Sequence, residues 1–261
     1  MVLQNEFTIF AQEVCLEAGK ILRDFYGKLN DDNIAQKNKH DFVTDADKAS
    51  EKFIVAKIEE RYPLHGIHGE EFTSKEAQSE YTWFIDPLDG TTNFVHSHPF
   101  FAISMGLRCG EELISGVVYS PILNEMFYAG IGEGAYLNGR RIYTSNTLTL
   151  ENSLLATGFP YKKAEIERNN LRNFNCLLPQ VRGIRRCGAA AIDMCYVGCG
   201  RYDGFWELWL QPHDVAAGTV IVREAGGIVT DFSGGEGYLF AGNVLATNKH
   251  IYSSLQNNVV F

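Results

Sequence analysis

The stretch from residue 83 to residue 94 constrains this chain more than any other, because it joins an apolar run to a group of oxygen-bearing side chains. The run from Trp83 to Ile85 predicts a buried strand, and two aspartates, Asp86 and Asp89, follow it. Residues 90–93, Gly-Thr-Thr-Asn, are typical of a tight turn and a helix N-terminus. Carboxylates are hard ligands for Mg²⁺, and the N–H groups of a helix start bind anions. The stretch therefore predicts metal-assisted phosphate chemistry.

Length, charge and cysteine content argue against several other classes of protein. The 261 residues suffice for one large domain or two closely packed ones, and 21% charged residues is typical of a globular chain. The net charge of −9 argues against a nucleic-acid surface but not against a phosphorylated substrate, because a bound metal inverts the local field. No membrane span or signal peptide is predicted. Six scattered cysteines favour reduced thiols and a cytoplasmic location.

Hydrophobic spacing predicts helices and an antiparallel sheet in the first part of the chain. Three- and four-residue spacing predicts one helix from Phe7 to Gly27 and a second from Thr44 to Tyr62. The polar residues 28–41 between them predict a mobile loop. Strands are predicted over residues 82–86, 100–107, 113–119 and 124–129, and Asn138-Gly139 predicts a hairpin turn.

After about residue 150, short strands alternate with helices. Strands are predicted at residues 154–157, 182–186, 202–206, 228–231 and 243–247, and helices at 161–178, 188–199, 214–225 and the carboxyl end. We therefore predict a fold of mixed α+β and α/β character in two subdomains. Residues 1–150 would form helices plus an antiparallel sheet with the metal-binding stretch. Residues 151–261 would form an α/β subdomain that completes the active site.

Four further acidic positions are candidates, and each has a simpler interpretation. Glu70, in Gly69-Glu70-Glu71, belongs either to a solvated loop or to a set of additional metal ligands. Asp214 opens an apolar helix, where it is either an N-cap or a carboxylate turned toward a cation. Asp47 lies in the first turn of the second helix, where an acid also suits the helix dipole. Glu207 is either a surface acid or an acid that binds hydroxyl groups.

Taken together, these motifs resemble the inositol monophosphatase family, and its bacterial type in particular. Residues 85–94 match the family signature nearly letter for letter, Gly69-Glu70-Glu71 resembles its first acidic motif, and residues 214–227 resemble its carboxy-terminal motif. The resemblance extends from about residue 7 to residue 255. It implies a layered αβαβα sandwich of the sugar-phosphatase type, two or three Mg²⁺ ions, lithium sensitivity and a homodimer.

The resemblance also implies roles for individual residues. The implied metal ligands are the side chains of Glu70, Asp86, Asp89 and Asp214 and the backbone carbonyl of Leu88. The implied catalytic residues are Asp47, Glu70 and Thr91, of which Asp47 and Thr91 would deprotonate the attacking water. The implied substrate-binding residues are Glu70, Leu88, Gly90, Thr91, Gly188, Ala189, Ala190, Glu207 and Asp214. Lys37 would belong to a mobile loop that closes over the metals.

Two positions depart from the family pattern. His213 stands where the family usually has Trp, and we expect this change to alter the shape of the site more than its catalysis. Ala189 stands where relatives often carry Thr or Ser, which leaves the contacts to the ring hydroxyls of a substrate open.

The sequence thus predicts an enzyme that releases phosphate from a monoester, with myo-inositol monophosphate as the substrate, by in-line attack of water with metal assistance. One alternative is a sugar phosphatase that acts on fructose 1,6-bisphosphate, because Arg185 and Arg186 would meet a second phosphate. Another is a regulatory binding protein that retains the fold. The aromatic run at residues 205–210 would then form a partner or dimer face.

Overall fold

The structure is a computed structural model that describes residues 5–29, 34–38, 41–71, 73–160 and 164–261. The α-helices in these ranges are α1 (Glu6–Phe25), α2 (Asp45–Arg61), α3 (Thr91–Val95), α4 (Leu171–Leu177), α5 (Ala190–Gly198), α6 (Pro212–Glu224), α7 (Tyr238–Ala241) and α8 (Tyr252–Gln256). Short 3₁₀ helices cover Leu150–Asn152 and Leu178–Gln180. None of the helices in the described ranges combines the length and the apolar character that crossing a membrane requires.

The strands form two sheets and one separate hairpin. The larger sheet contains, in spatial order, β10 (Arg140–Arg141), β9 (Gly134–Leu137), β8 (Glu125–Gly130), β7 (Glu112–Ser120), β6 (Ala102–Cys109), β5 (Tyr81–Asp89), β3 (Gly66–Gly69) and β4 (Ser74–Lys75). The smaller sheet contains β12 (Gly183–Arg185), β11 (Leu154–Thr157), β13 (Gly204–Leu208), β15 (Asn243–Thr247) and β14 (Ile228–Thr230). The hairpin pairs β1 (Ile34–Asn38) with β2 (Asp41–Thr44). In the larger sheet β3 and β5 run parallel, and the other neighbours run antiparallel.

Alternating side chains divide the interior into layers. Helices α1 and α2 cover one face of the larger sheet, and Ile54 of α2 and Met105 of β6 are buried in the same hydrophobic core. Helices α5 and α6 lie between the two sheets. Helices α4 and α8 cover the far face of the smaller sheet. Within β13, Phe205 packs toward α5 and α6 and the next residue, Trp206, packs toward α4 and α8, as the two-residue period of a strand requires. The predicted αβαβα sandwich is confirmed.

Most predicted elements are present, and two segments differ. The Asn138-Gly139 turn joins β9 to β10, with both residues at positive φ (48° and 80°). The predicted loop over residues 28–41 is wrong for 34–38 and for residue 41, because residues 34–38 pair with residues 41–44 as the hairpin β1–β2. Part of the predicted helix at 161–178 lies outside the described residues, and the helix α4 begins only at Leu171. Asn170, at φ 72°, directs its side chain into the core, where it accepts a hydrogen bond from Trp206 Nε1.

The two predicted subdomains correspond to different parts of the two sheets. The strands of the larger sheet come from residues 66–141, and those of the smaller sheet come from residues 154–247. Helix α6 nevertheless packs against strands of both sheets. The division at residue 150 therefore stays a prediction.

Two glycines let α6 lie directly on the larger sheet. A Cβ atom on Gly106 of β6 would lie 2.6 Å from the Cβ of Ala216, and one on Gly116 of β7 would lie 2.3 Å from the carbonyl oxygen of Ala217. Ala216 and Ala217 are themselves fully buried. Close contact of this kind needs small residues on both sides, because protein interiors have almost no spare volume. The position of the α6 N-terminus, which carries Asp214, therefore depends on these glycines.

We expect Gly116→Ala to destabilise the protein by about 2–3 kcal/mol, because its methyl group meets helix backbone that cannot rotate away. The free energy of unfolding from urea titration measures the effect. Gly183→Ala in β12 is the matched control, because its added Cβ would meet only side-chain atoms at 3.4 Å or more. That variant should be as stable as the original chain or up to about 1 kcal/mol more stable. Equal stability of the two variants would contradict the prediction.

Candidate active site

The predicted acidic residues converge from three elements. Glu70 directly follows β3, and Asp86 and Asp89 lie at the carboxyl end of β5. Asp214 lies in the first turn of α6. Strands β3 and β5 are parallel neighbours with Gly69 opposite Ile85, so Glu70 and Asp86 reach the same end of the sheet. Ligand atoms of Glu70, Asp86 and His213 all lie within 4.8 Å of one another. Glu70 therefore belongs to a cluster and not to an isolated solvated loop.

Backbone N–H groups hold the two aspartates of β5. The register of β5 with β6 shifts between Asp86 and Asp89, so the strand bulges there. Asp86 Oδ1 accepts a hydrogen bond from Leu88 N at 2.9 Å. The Asp89 carboxylate accepts hydrogen bonds from Ala190 N at 3.2 Å and from Ala191 N at 2.8 Å, in the first turn of α5. Both aspartates are buried, with 2% and 8% of their surface exposed.

Asp214 is the third residue of α6, and Gln211 is the N-cap, so the interpretation of Asp214 as the N-cap is wrong. Its Oδ2 accepts a hydrogen bond from Gln211 N at 2.6 Å, which closes the N-terminus of α6. Its Oδ1 lies 3.7 Å from His213 Nε2, and its charge raises the pKa of Asp89. The Asp214 carboxylate therefore forms part of the capping box of α6 and also faces the cluster.

Burial and mutual repulsion raise the pKa of these acids. Burial and the charges of Glu70, Asp89 and Asp214 raise the pKa of Asp86 well above its usual range. Burial and the Asp214 charge raise the pKa of Asp89 to about 8, and burial raises that of Asp214 to about 6. A set of buried like charges is stable when a cation neutralises it, and the oxygen donors suit a hard divalent ion. The residues therefore fit a metal site.

Without metal, we expect the protein to lose stability as the pH rises. The folded-state pKa values of Asp214 and Asp89, about 6 and about 8, exceed the value of ~3.9 in an unfolded chain. The folded state then binds more protons, so the stabilisation is complete below about pH 4 and is lost as the pH rises through 6 and 8. Added Mg²⁺ should reverse the trend. Thermal unfolding in EDTA and in Mg²⁺ across this range measures it, and a melting temperature that rises with pH in EDTA would contradict it.

Thr91 and Asp47 form a hydrogen-bonded pair beside the cluster. Thr91 Oγ1 lies 3.0 Å from Asp47 Oδ1, to which it donates, and 3.2 Å from the carbonyl oxygen of Leu88. Asp47 Oδ2 accepts hydrogen bonds from Thr44 N at 2.7 Å and from Thr44 Oγ1 at 2.5 Å, as a capping box of α2. Burial raises the pKa of Asp47, whereas the hydrogen bonds from Thr44 and Thr91 lower it. A hydroxyl that donates to Asp47 keeps its lone pairs for a second hydrogen bond.

The turn at Gly90 packs against the start of α5. Gly90 has φ 94°, and a Cβ atom there would lie 3.1 Å from the Phe100 carbonyl oxygen and 3.3 Å from Ala189 Cβ. The predicted substrate residues Gly188, Ala189 and Ala190 all lie at this junction. The N–H of Ala190 binds Asp89, so it contributes to holding that carboxylate.

Glu207 lies near the end of β13 and is largely buried, so the interpretation as a surface acid is wrong. Its carboxylate lies against Gly158, where a Cβ atom would meet Glu207 Oε1 at 2.0 Å. Burial raises the pKa of Glu207 to about 8, whereas Arg186 opposes the shift. The charge of Arg186 therefore acts on this side of the site, although Arg186 and its neighbour Arg185 are both exposed.

The interpretation of residues 205–210 as an exposed aromatic face is wrong for most of the run. Phe205, Trp206 and Leu208 are buried in the layers on either side of β13, and Trp209 is 45% exposed. The side chain of Lys37 lies outside the described part of the chain, and its predicted role stays a prediction.

Sequence reasoning missed three supporting residues. Glu51 accepts hydrogen bonds from Glu71 N at 2.8 Å and Thr73 N at 2.9 Å, and so positions the segment that carries Glu70. Asn93 Nδ2 donates to the carbonyl oxygens of Phe100 and Cys187 at 2.6 and 2.8 Å, which ties the Gly90 turn to the approach to α5. Asp193, 1% exposed in α5, has its pKa raised by burial and by Glu207. For Asp193, the sequence offered one signal, because an aspartate inside the apolar run at 189–197 is unusual.

The layered αβαβα fold brings buried acids together at the end of a sheet, in a set of oxygen donors that suits a divalent cation. Residues 3–260 match the sequence profile of the inositol monophosphatase family. The chain therefore belongs to the inositol monophosphatase family.

Two groups of relatives illustrate the similarity. The Nus factor SuhB of Pseudomonas aeruginosa is 42% identical over 247 residues, which cover 93% of this chain and 91% of that protein. The Nus factor SuhB of Escherichia coli K12 is 41% identical over 244 residues, with coverage of 93% and 91%. The crystal structure of extragenic suppressor protein suhB from Bartonella henselae superposes with a TM-score of 0.92 at 37% identity, covering 97% of this chain and 98% of that one. The inositol monophosphatase of Anabaena superposes with a TM-score of 0.88 at 40% identity, covering 97% and 94%.

Proposed function

We propose that the protein is a Mg²⁺-dependent phosphate monoester hydrolase that releases phosphate from myo-inositol monophosphate. The observation that carries this proposal is the convergence of Glu70, Asp86, Asp89 and Asp214 from three elements at the end of the larger sheet. Family membership supports the reaction class, and the 40% identical Anabaena protein, named an inositol monophosphatase, supports the substrate.

The four carboxylates and the carbonyl oxygen of Leu88 would hold two or three Mg²⁺ ions. Bound Mg²⁺ supplies positive charge that activates water and neutralises the phosphoryl and leaving-group oxygens. The chain itself fixes the ligands: Leu88 N binds Asp86, and the first turn of α5 binds Asp89. These hydrogen bonds orient the carboxylates before any ion arrives, so little reorganisation is needed on binding.

Thr91 and Asp47 would position the attacking water and receive its proton. The hydroxyl of Thr91 donates to Asp47, so its oxygen accepts a hydrogen bond from water and passes the proton toward the carboxylate. Thr44 holds the other oxygen of Asp47 through two hydrogen bonds, which leaves Oδ1 directed at Thr91. Glu70, which follows the neighbouring parallel strand β3 at the same end of the sheet, would share in orienting the water.

The remaining predicted residues would bind the substrate. The backbone N–H groups of Gly90 and Thr91 would bind phosphate at the turn, where φ 94° of Gly90 turns the chain into α3. Glu207 would form hydrogen bonds with polyol hydroxyls, and burial raises the pKa of its carboxyl to about 8 although Arg186 acts to lower it. Gly188, Ala189 and Ala190 would form the wall beside it, with only small groups directed at the sugar ring.

A phosphate-release screen tests this proposal. The full chain is assayed with inositol, sugar and nucleotide monophosphates and with fructose 1,6-bisphosphate, each with and without Mg²⁺ and Li⁺. We expect release from myo-inositol monophosphate that requires Mg²⁺ and is inhibited by Li⁺. Preference for fructose 1,6-bisphosphate would favour the sugar-phosphatase alternative, for which Arg186 is the available second-phosphate contact. No Mg²⁺-dependent release from any ester would contradict the proposal.

The oligomeric state and location belong to the same proposal. We propose a cytoplasmic homodimer, as the family resemblance and the reduced cysteines suggest. Light scattering on the purified chain gives the molar mass directly. A monomer at micromolar concentration would contradict the dimer.

A second candidate is a Nus-factor role, which the names of the relatives at 41–43% identity favour. It belongs to the regulatory alternative that the sequence left open. A catalytically inactive variant separates the two functions, because a Nus-factor role would persist without phosphate release. Asp89→Asn, discussed below, is suited to that comparison.

A further inference from the structure

We propose that His213 is a metal ligand, and that Glu70, Asp86 and His213 form a mixed oxygen and nitrogen site that prefers Mn²⁺ and similar transition-metal ions to Mg²⁺. The inference deepens the proposed function, on which it rests, because it concerns the same metal centre. It departs from the family pattern, in which Trp usually stands at this position and offers no ligand atom.

The geometry of the three side chains fits one ion. One ligand atom each from Glu70, Asp86 and His213 lies within 4.8 Å of the other two. Donors that bind one ion at about 2.0–2.2 Å lie within about 4.4 Å of each other. Movement of the side chains by a few tenths of an ångström therefore closes the site around an ion.

The backbone of His213 is fixed from two sides. Ser104 Oγ, on β6, donates a hydrogen bond to the His213 carbonyl oxygen at 3.3 Å. The small residues Gly106 and Ala216 hold α6 close to the same strand. The imidazole is 7% exposed, so it cannot swing into solvent without moving the helix N-terminus. A fixed, buried ring beside two carboxylates is a preorganised ligand.

The surroundings of the ring suit a ligand and leave a route for an ion. Asp214 Oδ1, 3.7 Å from His213 Nε2, is placed to pair with the imidazole, as carboxylates do with metal-binding histidines. The ring of His68 lies 6.0 Å from that of His213. A cleft of about 310 Å³, which His68, Gln211 and Pro212 help to line, lies beside them. An ion can approach from this side.

Ligand chemistry sets the expected preference. Mg²⁺ selects oxygen donors, whereas a nitrogen donor favours the transition-metal ions, among which Mn²⁺ gains least and Co²⁺ and Zn²⁺ gain more. Replacing an indole by an imidazole therefore adds affinity for the transition metals and little for Mg²⁺. The ratio of the Mg²⁺ and Mn²⁺ dissociation constants is the quantity that reports the nitrogen ligand.

Metal binding without substrate tests the inference. Pulsed EPR of Mn²⁺ bound to the full chain should show ¹⁴N modulation from a histidine. In His213→Trp the modulation should disappear, and the preference for Mn²⁺ over Mg²⁺, measured by calorimetry, should fall about tenfold or more. His68→Gln is the control, because this neighbouring imidazole is outside the three-residue set, and it should retain both signals.

Several outcomes would overturn the inference. Absence of ¹⁴N modulation in the unaltered chain would show that His213 lies beside Asp214 without binding the ion, and this result does not depend on the folding of any variant. Loss of the modulation in His68→Gln but not in His213→Trp would show that His68, and not His213, supplies the nitrogen ligand. These measurements contain no substrate. A negative metal-binding result therefore does not contradict Mg²⁺-dependent phosphate release, and a lack of phosphate release does not change the metal-binding result.

Discussion

Asp89→Asn should abolish nearly all Mg²⁺-dependent phosphate release, with kcat reduced by about 10³-fold or more. Asp89 is buried, and its carboxylate is held toward the cluster by Ala190 N and Ala191 N. An amide keeps the shape of the side chain but removes a negative charge that would bind the ions. Steady-state release of phosphate at saturating Mg²⁺ measures the effect.

The same substitution should leave the metal-free protein folded and at least as stable at pH 8. The pKa of Asp89 is raised to about 8 by burial and by Asp214, so its charge opposes folding in the absence of a cation. The variant should also lose most of the thermal stabilisation that Mg²⁺ provides. Wild-type turnover, or a collapse of stability without metal, would exclude the assignment of Asp89 as a metal ligand.

Thr91→Ala and Asp47→Asn should each lower kcat by about 10²–10³-fold, and the double variant should be no slower than the slower single one. We expect this because the Thr91 hydroxyl donates a hydrogen bond to Asp47 Oδ1, so the two residues would act as one proton-transfer unit. Thr91→Ser keeps the hydroxyl and should retain most of the activity. Single-turnover phosphate release measures the chemical step, and additive losses in the double variant would contradict a shared role.

Asp203→Asn is the matched control for Asp47→Asn. Asp203 is also buried and accepts hydrogen bonds from Leu154 N at 2.7 Å and Ser145 Oγ at 2.5 Å, which resembles the pairing of Asp47 with Thr44. It lies before β13, at the end opposite Glu207. Both variants should lose about 1 kcal/mol of stability, but only Asp47→Asn should lose activity.

Much of the fold could be predicted because local sequence signals agree with the tertiary structure. The predicted strand at 154–157 coincides with β11, and that at 243–247 coincides with β15. The Asn138-Gly139 turn was predictable because both positions need positive φ. The hairpin β1–β2 was not predictable, because residues 34–38 lack alternating hydrophobic residues and pair with residues 41–44 in a hairpin separate from the two sheets.

The same distinction holds for the candidate site. The sequence by itself determined which functional groups are available: Asp86, Asp89, Gly90 and Thr91 lie in one short stretch, and their spacing predicts without any structure that a strand end carries ligands beside a turn. Only the tertiary structure decided which distant residues join them. Glu70 meets Asp86 because β3 pairs parallel with β5, and backbone hydrogen bonding sets that register.

His213 joins the carboxylates because Gly106 and Gly116 let α6 approach the sheet. Such contacts depend on packing between elements far apart in the chain, and no local pattern encodes them. The local sequence thus predicts which donor atoms are available, whereas close packing of the layers determines which of them lie close enough to share an ion.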